Sequence, residues 1–155
     1  MAMDPTETNT NPMLTPFAGR AEHFSHGADI GIRGIGPSRE AAFEQAAAAL
    51  CEIVTERPKI NPRTPVVIEC EAPDGALLLV DWLNALIYHM AVDRMLFSRF
   101  KVSIVDHRLH GEAWGEPVDR DRHCPAVEPK GATYTSLRVE RGADGLWTAQ
   151  CVIDV

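Results

Sequence analysis

Lysine is scarce in this sequence, with Lys59, Lys101 and Lys130 against twelve arginines, and basic charge as a whole is outnumbered. Lys and Arg total 15 against 22 Asp and Glu, a net charge of −7. Binding phosphate along a whole surface needs a basic face, so a protein that coats nucleic acid in this way is excluded. A local basic patch, or work on a partner that itself holds RNA, remains compatible with the charge. The four cysteines, Cys51, Cys70, Cys124 and Cys151, are far apart in sequence, which excludes a CxxC redox or zinc pair. They read as reduced thiols, which suits a cytoplasmic protein. The longest apolar stretch, 77–90, is interrupted by Asp81, Asn84 and His89 and reads as too short to span a membrane. No basic region followed by an apolar core opens the chain, so no signal peptide is expected. The glycine-rich phosphate loops, the HExxH helix and the GxSxG elbow are all missing. Gly31, Gly34 and Gly36 have the wrong spacing for a phosphate loop and sit within a strand pattern.

What is present is the mixture of a globular domain: 155 residues, 45% hydrophobic and 24% charged. That length predicts one domain with a short tail. Residues 1–20 are polar and proline-containing and are expected to form a disordered leader ahead of a domain over 21–155. Ala28, Ile30 and Ile32 alternate with Asp29, Gly31 and Arg33, the period of a strand that puts Asp29 opposite the isoleucines. Ser38 is an N-cap residue type, and the apolar stripe from Phe43 to Val54 predicts a helix over 39–55. A strand is predicted at 66–71. A second helix with Leu79, Trp82, Leu83, Leu86, Ile87 and Met90 on one face should follow. Strands are then expected at 96–105, 108–115, 132–140 and 146–155, the last two joined at Gly142-Ala143-Asp144-Gly145. Short connections between successive strands predict an α+β fold, a mixed or antiparallel sheet packed with two helices.

Two polar features could carry chemistry. The segment His23-Phe24-Ser25-His26-Gly27-Ala28-Asp29 places two histidines and a carboxylate at intervals of three. They suit metal ligation or acid–base work; the simpler account is a histidine bonded to backbone and an Asp accepting turn amides. At the other end, Asp154 lies one residue from the terminal carboxylate, beyond a strand that should be well buried. Two anions there are costly unless solvated or neutralised. A hard divalent cation would neutralise them through Asp154, an oxygen of Val155 and a third carboxylate, for which Asp29 is the best placed. From spacing alone, solvation of a loosely held end is the simpler account.

Several segments together resemble the archease family: HFSHGADIGIRGIG (23–36), SREAAFEQAAAAL (38–50), LLLVDWLNALIYHM (77–90), LFSRFKVSI (96–104), the 115–141 stretch and WTAQCVIDV (147–155). They run in family order over nearly all of the chain after the leader. Gly27 and Thr135 depart from the family pattern, which usually has Thr and often His there, so no role is carried over to these two side chains. The resemblance implies a non-enzymatic accessory factor for an RtcB-type RNA ligase. That ligase joins 2′,3′-cyclic-phosphate or 3′-phosphate RNA ends to a 5′-hydroxyl, using GTP, a metal and a guanylylated histidine. The factor is expected to promote guanylylation and multiple turnover, and to meet RNA only through the ligase. The resemblance also implies a metal site at Asp29, Asp154 and Val155, holding Ca²⁺ or Mg²⁺/Mn²⁺. His26 is a candidate for orienting Asp29, and Lys130 for contacting the partner or a phosphate. Arg99 and His123 are expected to be structural, and Trp82 and Phe97 to lie in the core. Two other functions fit the composition: a general chaperone without chemistry, and a metal-dependent phosphoesterase.

Overall fold

The computed structural model describes residues 17–155. The expected leader lies mostly outside the described residues, and the first strand, β1, opens at Arg20. β1 (Arg20–His26) and β2 (Asp29–Gly36) form an antiparallel hairpin in which His26 faces Asp29. This corrects the reading of the region as one strand. The chain reverses at Gly27, whose φ of +61° is a conformation that favours glycine. α1 (Arg39–Val54) follows, capped by the Ser38 hydroxyl accepting from the Ala41 amide at 3.0 Å. β3 (Thr64–Glu71) leads into α2 (Gly75–Val92), where the Asp74 carboxylate accepts from the Leu77 amide. β4 (Met95–Val105) and β5 (Arg108–Pro117) form a second hairpin, followed by a single helical turn, α3 (Arg120–His123). The strand expected at 132–140 is instead two short pieces, β6 (Gly131–Ala132) and β7 (Arg138–Arg141). Ser136, at a φ of +54°, breaks the extended run between them. β8 (Trp147–Asp154) closes the fold.

The strands divide into two antiparallel sheets, so the class is α+β as expected, with two sheets where one was foreseen. The first has the order β1-β2-β8-β6, with β7 also pairing β8, and the second has the order β3-β5-β4. α1 packs on β2 and β8 of the first sheet and also meets β4 of the second. Its run Ala46–Ala49 is fully buried, and the approach is close. A Cβ at Gly34 would stand 2.1 Å from the Ala42 carbonyl oxygen and 2.3 Å from the Ala46 nitrogen. Small residues on both sides are what let helix and strand backbones touch.

Trp82 of α2 sits in the middle of the core. It lies against Gly111 of β5, stacks edge-on with Phe100 at 6.5 Å and donates its indole N–H to the Phe43 carbonyl. α2, at 18 residues, is in fact long and apolar enough to cross a membrane, contrary to the sequence expectation. Its apolar face, from Leu78 through Leu86, is spent on the core instead.

Candidate functional site

Strand pairing decides which side chains share the outer face of the first sheet, the face turned away from α1. Ile32 pairs with Cys151 and both are buried against the helix, so their neighbours in sequence point outward. At one end of the sheet the register builds a single row across four strands. His26 faces Asp29 between β1 and β2. The β2–β8 ladder ends at Ile30 opposite Ile153, so Asp29 and Asp154 are the next residues on the two strands, at the same end of the sheet. Asp154 faces Gly131 of β6, and the Lys130 amide donates to the Asp154 carbonyl at 2.8 Å. Residues almost 130 positions apart are thus gathered at one end of the sheet.

Directly opposite residues have Cβ atoms about 4.5–5.5 Å apart, and like charges at that spacing repel. Among the described residues neither carboxylate has an ion-pair or hydrogen-bond partner for its side chain, and Asp154 and Lys130 are exposed. The pair is left for something from outside. No group of three or more His, Cys, Asp or Glu side chains among the described residues could hold a metal on its own. Main-chain oxygen, such as that of Val155, would have to complete the ligand set. Two carboxylates and a carbonyl are hard oxygen donors, which fit Ca²⁺, Mg²⁺ or Mn²⁺ in chemistry.

Three of the four cysteines stay out of any such site, and Cys124 is exposed elsewhere, after the α3 turn. Burial pushes the Cys51 and Cys151 thiols up to about 12 and Cys70 to about 11, so they remain protonated packing groups. His23 also leaves the candidate cluster. It lies on the inner face of β1, and its Nε2 bonds to the Ala49 carbonyl of α1 at 2.8 Å, which is the backbone-bonded role weighed for a histidine here. His26, on the outer face, stays beside Asp29.

One residue the sequence reading did not single out supports the row. The Asn84 side chain on α2 accepts from the Ala132 amide at 2.8 Å, fixing the segment that carries Lys130. An amide interrupting the apolar stretch 77–90 was its signal in the sequence. Tyr134, just beyond β6, is 69% exposed.

His123 and Glu116 belong to a separate buried cluster. His123 accepts from the Asp119 amide through Nδ1, so its Nε2 carries the proton donated to Glu116 at 2.9 Å. Arg122 donates to the same carboxylate at 2.8 Å, as does the Asn61 amide. Arg122 holds the Glu116 carboxyl far below the usual range; burial opposes this, and Asn61 and His123 add to it. This is a structural clamp on the loop after β5, the role expected for His123.

The model of the family described as "Archease protein family (MTH1598/TM1083)" matches residues 22–155. "Protein archease" of Pyrococcus furiosus is 40% identical over 138 residues, 86% of this chain and 97% of the relative. The protein of the same name from Methanopyrus kandleri is 37% identical over 138 residues, 86% of this chain and 98% of the relative. Among solved structures, protein 1598 of Methanobacterium thermoautotrophicum superposes with a TM-score of 0.77 at 31% identity, covering 90% of this chain and all of that one. A Thermotoga maritima structure, described as an archease and possible chaperone, shares the fold at a TM-score of 0.59 and 19% identity, covering 86% of this chain and 96% of that one.

Proposed function

The chain belongs to the archease family, and from that membership we propose that it activates an RtcB-type RNA ligase without catalysing ligation itself. The observation that carries this reading is the end row of the first sheet, where Asp29 and Asp154 stand at the same end of adjacent strands with no internal counter-charge among the described residues. Asp29, Asp154 and a main-chain oxygen of Val155 would hold a divalent cation, which supplies charge neutralisation near phosphate when bound. His26 orients Asp29 from the neighbouring strand. Lys130, anchored through its amide to Asp154, offers its ammonium to the partner or to a phosphate beside the carboxylates. The row sits at a strand-end edge, so it can enter a cleft on the ligase and orient the nucleotide for attack by the ligase histidine. The acidic surface favours approach to a basic RNA-binding enzyme. RNA is met only through the ligase, and the work is done in the cytoplasm.

The test is GTP-dependent labelling of the ligase histidine with and without this protein. The wild type should speed labelling and raise turnover, while showing no ligation alone. Asp29→Ala and Asp154→Ala should remove the stimulation with the fold intact. Normal stimulation by both variants would sink the metal-centred mechanism. Suppressed aggregation of unrelated proteins, unchanged in Asp29→Ala, would point to a general chaperone. Chelator-sensitive turnover of phosphodiesters by the protein alone would point to a phosphoesterase.

A further inference from the structure

We propose that the cleft between the C-terminal end of α2 and the 118–129 loop binds a small molecule carrying one anionic group, a phosphate or a carboxylate, on an apolar body. The cleft has a volume of about 470 Å³. That falls within the roughly 300–1,000 Å³ of small-ligand sites. Met90, Leu96, Val118 and Pro125 give it apolar walls, and Arg94 and Arg120 supply the charge. Neither guanidinium has an ion-pair partner among the described residues, in common with four other arginines of the twelve; Arg20, Arg33, Arg57, Arg108, Arg122 and Arg138 are paired. Glu128 also lines the cleft but pairs with neither arginine, so the lining keeps a net positive charge.

The two arginines are held by rigid backbone. Arg94 sits at a φ of +57° directly after the helix, and its carbonyl accepts the Val118 amide at 2.8 Å. Arg120 opens the helical turn that Arg122 and His123 clamp to Glu116. The opposite wall is pinned where the Ala126 amide donates to the Val54 carbonyl. A planar guanidinium matches a carboxylate or phosphate with paired hydrogen bonds, and two such groups beside an apolar wall select a ligand with both characters. The site is independent of the carboxylate row and of the ligase reading.

The probes are phenyl phosphate, benzoate, phenol and inorganic phosphate, titrated into the ¹⁵N-labelled full chain. Phenyl phosphate or benzoate should shift the amides of Ala91, Val118 and Ala126 saturably. Phenol and inorganic phosphate should each bind about tenfold or more weakly, since each lacks one half of the ligand. An Arg94→Ala, Arg120→Ala double variant should melt like the wild type and lose about tenfold or more in affinity. The proposal is overturned if neither phenyl phosphate nor benzoate binds in the cleft. It is also overturned if inorganic phosphate or phenol binds as well as they do, or if the double variant binds them normally.

Discussion

Asp29 and Asp154 illustrate how a residue's chemistry depends on what stands on the neighbouring strand. In isolation each is a solvated carboxylate; brought together at one end of the sheet they make a small region of negative potential, whose repulsion the proposed cation would relieve. Calcium, magnesium or manganese should therefore raise the melting temperature of the wild type. At a hundred times the dissociation constant the gain is about 2.7 kcal/mol. Asp29→Asn should abolish that rise, as read by thermal melts with titrated metal and with chelator. Glu116 is the opposite case, a carboxylate with its counter-charge, Arg122, and its hydrogen-bond donors built in, and only 5% exposed. Its folded-state pKa is depressed, so its stabilisation is complete above the unfolded carboxylate value of about 4.3. It is lost as pH falls below that value toward the folded one. Glu116→Gln should cost on the order of 2 kcal/mol at pH 7. The gap between variant and wild type should narrow on going from pH 5 to pH 2, measured by urea unfolding.

At the scale of elements, helix α1 and strand β2 are matched by the smallness of their contact residues. Gly34→Ala puts a methyl group into the backbone of α1, where no side chain can move aside. The expected cost is about 1–3 kcal/mol. The shift in urea midpoint should exceed that of Gly142→Ala in an exposed turn. Both helices were legible in the sequence because apolar stripes and caps are local signals: Ser38 caps where its residue type suggests. The β1–β2 hairpin was not. Glu22-His23-Phe24-Ser25-His26 carries no apolar alternation, because β1 is an edge strand whose inner positions include His23 and Ser25. The 132–140 segment misled in the other direction. Its β-forming residues suggested one strand, yet it bends so that Thr133 and Thr135 bond to both sides of Val152 and cover it.

For the whole molecule, two sheets share one core through two helices, and Trp82 is a fully buried member of that core. Trp82→Ala removes the contacts with Gly111 and Phe100 and the bond to Phe43. A loss of about 3–5 kcal/mol is expected, read as a lowered midpoint of cooperative unfolding. The net charge of −7 also acts at this scale. If it steers the proposed encounter with a basic ligase, the rate of association should fall steeply as ionic strength rises toward and beyond about 0.15 M. Stimulation at saturating protein should fall much less, because bound carboxylates close to their partner are poorly screened. A stopped-flow salt series measures the difference.

Local pattern alone determined the fold class, the two helices, the Ser38 cap and the β4–β5 hairpin. These depend on periodicity, capping chemistry and spacing, which are properties of neighbouring residues. The order of residues also carried the family resemblance, and with it the naming of Asp29, Asp154 and Val155. Only the tertiary structure decided that His26, Asp29, Asp154 and Gly131 form one row, that His23 turns inward, and that Arg94 and Arg120 share a cleft. For the row the physical reason is the register of β2 on β8, a long-range choice settled by which faces the core buries, and a slip of one residue there would move Asp154 off the face that carries Asp29; for the cleft it is the packing of the 118–129 loop against the end of α2.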